Sequence, residues 1–434
     1  MPRQPTPRTD DARATAEAAA RRSYGKLVAF LAARTGDVAG AEDALSEAFA
    51  AALADWPVRG SPNNPEAWLV AVARRKMIDA GRRRRSGVAA ADHLRLMAEE
   101  LRAIQESTAA GEAHLPDDRL RLMFACAHPA MEPGVRAPMI LQTLLGFDAA
   151  TIASAFLVSP AAMGQRLVRA KAKIRQAGIP LRVPEPAELR ERLAAVLEAI
   201  YAAFAEGWSD PVGTELRRRD LAEEAIWLGR LLVSALPDEP EALGLLALML
   251  HAEARRGARR DARGEYVPLA EQDPASWDAL LIEEAEALLT RASRFGMIGR
   301  YQLEAAVQSA HVVRRRSGCA DWRAIEKLYD TLSALSDSPV VAINRAIAIA
   351  ETRGPAAGMA ALDAVRDDAR LADYQPYWAA RAGLLARIGD VEAADEAYQR
   401  AIGLESDPAV RRFLQQRHQD LGGHRATPTA VSLS

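Results

Sequence analysis

Two clusters of basic residues are the parts of this chain best suited to bind a ligand. The first contains Arg74, Arg75 and Lys76, and it ends in the run Arg82–Arg85. The second follows a Ser-Pro pair and contains Arg166, Arg169 and Lys173, among other residues. Cations on a helix bind the phosphates of a nucleic acid chiefly because binding releases counterions. The two clusters therefore predict contact with a polyanion.

The charge distribution along the chain supports two separate contacts. Residues 1–86 and residues 116–182 each carry a net charge of +5, whereas residues 87–115 carry −3 and residues 183–434 carry −9. A near-neutral total of −2 therefore hides two basic modules and an acidic second half. Two basic modules favour two contacts with one polyanion, although an uneven solvated surface would give the same pattern.

Residues that could carry catalysis or hold a metal are sparse. The two cysteines, Cys126 and Cys319, are far apart in sequence, which supports neither a disulfide framework nor a zinc cluster. His251 and Glu253 are two residues apart, and such residues do not share a helix face. We therefore expect no catalytic residue, no metal, no cofactor and no enzymatic activity.

Composition also indicates where the protein works. No run of about 18 apolar residues is present, so we expect no membrane span. The segment 1–22 lacks the apolar core of a secretory signal. With two cysteines and no membrane segment, the chain fits a reducing cytoplasm.

The secondary structure that carries the basic clusters is predicted to be helical throughout. Apolar residues recur at helical spacing and β-branched strand patterns are missing, so the fold class is all-α. Pro- and Gly-containing breaks divide the chain. The expected parts are a disordered arm at 1–19, a first basic module at 20–86, a linker at 87–116 with a helix around 94–104, a second basic module at 117–178, a helical extension at 185–290, helical repeats at 291–422 and a disordered tail at 423–434.

The first basic module has a specific order of parts. The stretch 36–49, GDVAGAEDALSEAF, precedes the stretch 56–85, WPVRGSPNNPEAWLVAVARRKMIDAGRRRR. Together they resemble region 2 of sigma-70-type RNA polymerase sigma factors of the extracytoplasmic-function class. Ser46 stands where that pattern usually has Gln, and Arg75 stands where it usually has Asn.

The resemblance implies two sets of contacts for this module. The helix around 42–49 would bind the clamp helices of the largest polymerase subunit, while the loop and the basic helix would capture and melt the −10 element. A Gly/Ser/Asn loop suits this task because its polar groups can bind the edge of an extruded base. The implied polymerase-binding residues are Asp37, Glu42, Asp43, Ser46, Glu47 and Phe49. The implied −10 residues are Arg59, Gly60, Ser61, Asn63, Asn64, Arg74, Arg75, Asp79, Arg82 and Arg83.

The second basic module is predicted to be a helix-turn-helix, with an ordinary corner between two helices as the alternative. Ser159 and Pro160 are typical of a helix start. Amide and cationic side chains on an outward helix face can reach base edges in the major groove. The stretch 147–174, FDAATIASAFLVSPAAMGQRLVRAKAKI, resembles region 4 of the same factors, with Thr151 in place of the common Glu and Leu157 in place of the common Gly. The implied −35 residues are Ser159, Ala161, Ala162, Gln165, Arg166, Arg169 and Lys173.

Residues 185–422 resemble the extension of one subgroup of these factors, a domain of unknown function followed by tetratricopeptide-like repeats. The stretches that carry this resemblance are 241–259, 269–278, 300–311 and 338–348. Gly354 and Gly389, 35 residues apart, each separate two helical patterns, as tetratricopeptide repeats do, although a generic helical bundle is the alternative. The arginines at 255, 256, 259 and 260 are interpreted as a solvated face, with contact to the acidic linker or to the polymerase as alternatives.

The resemblance implies an initiation factor that binds core RNA polymerase through the clamp helices and the flap of the second-largest subunit. It would recognise −35 and −10 promoter elements, and its extension would regulate it, with a protein or peptide as a possible partner of the repeats. Two other classes of protein stay open. One is a stand-alone helix-turn-helix regulator with a repeat-type sensor, and the other is an interaction scaffold whose basic helices are incidental.

Overall fold

The computed structural model describes residues 7–84, 118–156, 158–177, 179, 184–208 and 216–424. The whole predicted linker, including its helix around 94–104, and the tail from residue 425 lie outside these ranges. Within them the chain is helical, and the only β feature is an isolated bridge between Arg260 and Tyr266. The all-α fold class is therefore confirmed.

The chain divides into two compact units, residues 1–203 and residues 204–434. Helix α8 continues across the boundary between them. The first unit contains α1 (Pro7–Thr35), α2 (Val38–Arg59), α3 (Pro65–Arg84), α4 (Arg119–Cys126), α5 (Pro133–Leu145), α6 (Ala149–Ala155), α7 (Pro160–Ala177) and most of α8 (Pro186–Trp208).

Helix α1 begins earlier than the sequence predicts. The expected arm at 1–19 is wrong for residues 7–19, which are helical. Ala12, Ala16 and Ala19 repeat at spacings of four and three residues and are buried. A stripe of small residues at this spacing can pack against a neighbouring helix, which explains why the helix extends so far back.

Helix α1 is shared by the two basic modules. It packs against α2 and α3 of the first module and against α4 and α5 of the second. Leu27, Phe30 and Leu31 are buried in this packing. At Gly25 the helix comes so close to α5 that a Cβ atom would overlap the carbonyl oxygen of Leu144. The two modules are therefore joined through a common helix within the first unit.

Local capping fixes the start of the helices that carry the candidate site. Asp37 accepts a hydrogen bond from the Gly40 amide at 2.9 Å and caps α2. Asp148 accepts one from the Thr151 amide at 2.7 Å and caps α6. Ser159 accepts one from the Ala162 amide at 3.3 Å, with Pro160 as the first residue of α7. These are the residue types that satisfy the free amides at a helix N-terminus.

The second unit consists of the end of α8 and a series of packed helices. They are α9 (Leu216–Ala235), α10 (Pro240–Glu253), α11 (Ala279–Ser293), α12 (Arg300–Val312), α13 (Arg314–Ser317), α14 (Trp322–Leu335), α15 (Pro339–Arg353), α16 (Pro355–Asp363), α17 (Gln375–Ile388), α18 (Val391–Leu404) and α19 (Pro408–His424). Gly354 and Gly389 adopt positive φ between α15 and α16 and between α17 and α18, respectively. Two consecutive helix pairs therefore turn at these glycines.

The last helix of the second unit packs against a loop near its beginning. Arg260 pairs with Asp407 at 2.5 Å, Arg412 with Glu265 at 3.0 Å and Arg417 with Glu271 at 2.6 Å. Tyr266 and Phe413 make an edge-to-face contact with ring centroids 5.4 Å apart. The loop at 260–271 and helix α19 thus connect distant parts of the sequence within this unit.

Helix α10 is the central helix of the second unit, and it supports α12 through one side chain. Residues 242–252 of α10 are all buried. The Glu241 carboxylate accepts hydrogen bonds from the backbone amides of Tyr301 at 3.0 Å and Gln302 at 3.1 Å. Gly299 leaves the space that this carboxylate occupies, since a Cβ atom there would overlap Glu241. Glu241 therefore caps α12 from another helix.

We predict that Glu241→Ala lowers the free energy of unfolding by about 1–3 kcal/mol, because two amides at the start of α12 lose a charged acceptor. Urea unfolding of the full chain measures this change, and hydrogen exchange at the amides of Tyr301 and Gln302 locates it. Glu283→Ala is the matched control, since Glu283 is an exposed glutamate on α11. Equal effects of the two substitutions would contradict the capping role.

Candidate nucleic-acid interface

The predicted polymerase-binding residues of α2 do not all share one environment. Asp43, Ser46 and Glu47 are exposed on one side of the helix, and Phe49 is half-buried. Asp37 is occupied as the cap of α2. Glu42 is only 7% exposed and lies under helix α7 of the second module. In this structure, therefore, Glu42 is buried and does not belong to the exposed acidic face of α2.

Glu42 forms an ion pair with Lys171 of α7, with Nζ and Oε2 2.7 Å apart. Burial raises the pKa of the Glu42 carboxyl, and the Lys171 ammonium and the Thr143 hydroxyl oppose that rise. The same environment includes Cys126, whose burial near Glu42 raises its pKa to about 12. Desolvation of the carboxylate thus outweighs the attraction of its partner, which is common for ion pairs taken out of water.

The predicted −10 loop connects α2 to α3. Trp56, in the last turn of α2, is buried and packs edge-to-face on Trp68 of α3, with ring centroids 5.3 Å apart. Between these anchors, Gly60 takes a φ of 89°, a conformation that favours glycine. Arg59 was predicted in this loop, but it is the last residue of α2. It is exposed, as are Ser61, Asn63 and Asn64 of the loop.

Two of these residues already have partners within the module. The Asn64 side chain accepts the Ala67 amide at 3.0 Å and so caps α3. Arg59 pairs with Asp55 at 3.1 Å on the surface. Ser61 and Asn63 remain the exposed polar side chains nearest the centre of the loop. The two aromatic anchors hold this loop between its helices, which limits how far the polar side chains can move.

One arginine of the basic helix α3 is buried, although the sequence predicted that it contacts DNA. Arg74 was predicted to contact DNA, but it is 3% exposed and its guanidinium lies over the Phe30 ring, 5.1 Å from the centroid. Arg75, Lys76 and Asp79 are exposed. Arg74 is buried because α3 packs against α1 on that side. This position disfavours a DNA contact for Arg74 and supports one for Arg75.

The acidic face of α2 and the basic face of α3 meet on the surface. Lys76 Nζ lies 3.0 Å from Glu47 Oε2, and both side chains are largely exposed. Arg82 and Arg83 belong to α3, but their side chains lie outside the described part of the chain. The first module therefore presents exposed carboxylates on α2 next to exposed cations on α3.

Helix α7 has a buried side and an exposed side, as its spacing predicts. Met163, Leu167, Ala170 and Ile174 are buried. The residues named for −35 recognition are exposed, apart from the partly buried Ala162: Ser159, Ala161, Gln165, Arg166, Arg169 and Lys173. The short helix α6, a turn and α7 have the layout that a helix-turn-helix uses to place one helix in a major groove.

Three cations of α7 line a small cleft on the surface. Arg166, Arg169 and Lys173 border this cleft together with Glu132 and Val135 at the start of α5, among other residues. Side chains spaced by three and four residues share a helix face, so the three cations act on the same region of space. A cleft of this composition suits a phosphate group beside the helix.

The arginines at 255, 256, 259 and 260 are not the solvated face that the sequence suggested. Arg255 is buried and donates hydrogen bonds to the His251 carbonyl oxygen at 3.3 Å and to the Gln308 side chain at 2.5 Å. Arg259 donates to the Trp208 carbonyl oxygen at 2.8 Å and lies over the Trp208 ring. Arg255 and Arg259 therefore each bind another helix within the second unit. Periodicity missed this because the acceptors are backbone carbonyl groups and an amide side chain, which sequence does not place.

His251 is part of the interior of the second unit. Burial, and to a lesser extent the nearby Arg255, lower the pKa of His251 to about 4. Its Nε2 lies 3.5 Å from the Glu286 carboxylate. Among the described residues, no group of three His, Cys, Asp or Glu side chains is arranged to hold a metal ion.

The sequence did not identify Lys171, although it holds the two basic modules together at Glu42. The signal was present but ambiguous, because Lys171 lies at the edge of the buried stripe of α7, beside Leu167 and Ile174. A lysine at that position is equally compatible with solvent.

No described helix is both long enough and apolar enough to span a membrane.

Comparisons with known proteins give the family. Residues 20–87 match the family model of sigma-70 region 2, and residues 192–293 match a family of unknown function (DUF6596). A protein of Rhizobium meliloti (strain 1021), described as uncharacterized, is 39% identical over 387 residues, which cover 89% of this chain and 91% of that protein. No solved structure matches.

A sigma-70 region 2 built from α1, α2 and α3 defines a transcription initiation factor, a class that binds core RNA polymerase and promoter DNA. The region 2 match supports a sigma-70 family sigma factor, and the chain combines region 2 with a DUF6596 domain. Sigma factors are not enzymes; RNA synthesis is the chemistry of the polymerase.

We predict that Arg75→Ala weakens promoter binding of the polymerase-bound chain about equally across sequences and lowers the slope of log K against log salt by about one. The physical reason is the loss of one exposed phosphate contact. Arg74→Met is the matched control, because Arg74 is the neighbouring arginine and is buried. It should leave that slope unchanged and lower the melting temperature, because the cation covering Phe30 is lost. A reduced slope for Arg74→Met would show that Arg74 contacts DNA in the complex.

Proposed function

We propose that the chain directs core RNA polymerase to promoters with −35 and −10 elements and helps to melt the −10 element. The observation that carries this proposal is the region 2 match at residues 20–87, in which exposed Asp43, Ser46 and Glu47 lie beside exposed Arg75 and Lys76. Carboxylates there would bind the clamp helices of the polymerase. Cations next to them would hold the DNA that the polymerase opens. Such a protein would act in the cytoplasm, where polymerase and promoters are found.

The −10 element would be captured by the loop between α2 and α3. Its glycine, serine and asparagine residues expose hydrogen-bonding groups that can bind the edge of an unstacked base. Unstacking costs a few kcal/mol, and contacts in the loop and on α3 would offset it. Trp56 and Trp68 support this role, because the pair keeps the loop between two fixed helices.

The second module would bind the −35 element as region 4. Gln165 and Arg169 are exposed on α7, and these residue types bind adenine and guanine edges in the major groove. The cleft lined by Arg166, Arg169 and Lys173 would hold a backbone phosphate beside that groove. The flap of the second-largest polymerase subunit would support this module.

The extension would regulate the two modules. Residues 183–434 carry a net charge of −9, opposite in sign to both basic modules. The repeat-like helix pairs with turns at Gly354 and Gly389 offer surface for a protein or peptide. The acidic charge and the available surface support regulation by masking or by a partner.

Run-off transcription with purified core polymerase on the promoter of this protein's own operon tests the proposed function. We expect transcripts from one start site that depend on the chain, and a gel shift that requires the polymerase. A specific gel shift without polymerase would favour a stand-alone regulator instead. The same assay with a chain ending at Trp208 tests the extension, and an unchanged transcript yield would remove the regulatory role.

We predict that Gln165→Ala relaxes the preference at one base of the −35 element by roughly 1–3 kcal/mol while leaving other positions unchanged. The reason is the loss of a bidentate amide contact with a base edge. Competition binding of the polymerase complex to promoters with single-base changes measures it. Gln142→Ala is the control amide, since Gln142 is on α5 and not on the exposed face of α7. A uniform loss of affinity across all sequences would indicate that Gln165 contacts the DNA backbone and not a base.

A further inference from the structure

Arg255 of the second unit is a buried cation without a carboxylate partner. It follows α10 and is 8% exposed. Its Nε donates to the His251 carbonyl oxygen at 3.3 Å and its Nη2 to the Gln308 side-chain oxygen at 2.5 Å, and both acceptors are neutral. No Asp or Glu in the described part of the chain lies within ion-pair distance of it. Burial, and to a lesser extent the neighbouring Arg259, lower the pKa of Arg255 to about 10.

Two other buried arginines show what such a cation obtains elsewhere in the chain. Arg136 is 7% exposed and lies 3.6 Å from the Glu191 carboxylate, and Arg192 is 3% exposed and lies 3.3 Å from the Glu188 carboxylate. A buried charge is costly unless an opposite charge and hydrogen bonds compensate it. Arg255 has the hydrogen bonds but lacks the opposite charge, so its surroundings are electrostatically incomplete.

Two side chains next to Arg255 offer hydrogen-bond donors. The ring centroid of Trp277 lies 5.8 Å from the Arg255 guanidinium. Trp277 is buried, and its Nε1 has no hydrogen-bond partner, although nearly all buried polar atoms have one. Gln308 uses its side-chain oxygen to accept from Arg255, which leaves its side-chain nitrogen as a donor. These groups call for an acceptor.

His311 of α12 and Tyr329 of α14 are within electrostatic reach of the same cation. Burial, and to a lesser extent the charges of Arg255 and Arg314, lower the pKa of His311 to about 4, so its ring is neutral and keeps one N–H group. Burial, and to a lesser extent Glu304, raise the pKa of the Tyr329 hydroxyl, while Arg255 opposes this rise. Tyr329 therefore keeps its proton and is a further donor.

The carboxylates of the neighbouring helices are directed to other partners. Glu304 of α12 pairs with Arg300 at 2.8 Å. Glu286 of α11 lies 3.5 Å from Nε2 of the buried His251. Neither of them compensates Arg255. The groups around this cation thus supply more donors than acceptors, which is the composition that suits an anionic ligand.

The cluster can be reached from the side formed by α12 and α14. Gln308, His311, Trp322 and Tyr329 are half-buried, whereas Arg255 and Trp277 are buried. The rings of His311 and Trp322 pack edge-to-face, with centroids 5.5 Å apart. A ligand that enters from this side would therefore meet aromatic rings as well as donors. An anionic group with an apolar body fits both.

The charge offered to a ligand is a single positive charge. The neighbouring arginines are engaged, because Arg259 donates to the Trp208 carbonyl oxygen and Arg314 donates to the carbonyl oxygens of Leu269 and Gln272. One guanidinium matches the single charge of a carboxylate, whose two oxygens can both accept hydrogen bonds from it. This favours a carboxylate over a phosphate dianion.

We propose that the Arg255 cluster, consisting of Arg255, Trp277, Gln308, His311 and Tyr329, binds the carboxylate group of a free organic acid or of a peptide C-terminus. The carboxylate would supply the negative charge that Arg255 lacks, and the surrounding donors would bind its oxygens. The site lies within the second unit, and it does not depend on the proposed function.

Titration of benzoate into the full chain, followed by NMR of the ligand, tests the site. Benzoate carries a planar carboxylate on an apolar ring, and benzamide has the same shape without the charge. We expect benzoate to bind at least about tenfold more tightly than benzamide, because benzoate alone compensates Arg255. A concentration of about 10 mM nearly saturates a site with a Kd of about 1 mM. Equal binding of benzoate and benzamide would overturn the proposal.

A short peptide separates the two sources of the carboxylate. Acetylated Ala-Ala-Phe is titrated as the free acid and as the C-terminal amide. Preference for the free acid, with tighter binding than benzoate, would assign the site to peptide C-termini, and weaker binding than benzoate would assign it to small organic acids. Tighter binding of inorganic phosphate than of either carboxylate would contradict the proposal, as would no binding of either carboxylate at about 10 mM.

Substitutions locate the binding. Arg255→Gln removes the cation and should raise the Kd of benzoate at least about tenfold. Tyr329→Phe removes one oxygen atom and should raise it about threefold, which keeps the test decisive even if Arg255→Gln does not fold. Arg381→Gln is the matched control, since Arg381 is a half-buried arginine of the second unit that already pairs with Asp363 at 2.6 Å. Benzoate binding that is unchanged in Arg255→Gln and Tyr329→Phe, or equally weakened in Arg381→Gln, would show that the cluster is not the site.

Discussion

The Glu42–Lys171 ion pair is the interaction on which the arrangement of the first unit depends. A buried carboxylate is costly unless a cation and hydrogen bonds compensate it. Glu42 obtains its cation from α7, which is separated from α2 in sequence by the whole linker and by helices α3 to α6. A charge that could have faced solvent instead specifies which face of α7 contacts α2. The exposed face of α7 with Gln165 and Arg169 follows from that choice.

Helix α1 makes this arrangement possible because it has two partners. A helix that packs against a single module needs only one apolar stripe. Here Phe30 and Leu31 are fully buried, and α1 also approaches α5 closely at Gly25. The same helix therefore positions the acidic face of α2, the basic face of α3 and the start of the second module. The contact with α5 needs glycine, because any side chain at that position would meet the backbone of α5.

Sequence predicted the all-α class and the outward face of α7, because both depend on local periodicity. It also predicted the start of α7, since Ser159 and Pro160 act through neighbouring backbone groups. It failed where a side chain depends on a distant partner. Arg74 is buried by α1, Glu42 by α7, and Arg255 by Gln308, and none of these partners is close in sequence. A charged residue at the edge of a helix face gives the same local pattern in either environment.

Charged residues of the extension also depend on partners that are distant in sequence. Its arginines at 255, 259 and 260 bind an amide side chain, a backbone carbonyl and Asp407, respectively, and so they connect α10 and the loop after it to α8, α12 and α19. Arginine suits this task because its planar group donates several hydrogen bonds while staying charged. These three arginine side chains are therefore bound within the second unit. The second half, residues 183–434, nevertheless carries a net charge of −9, opposite in sign to that of the two basic modules.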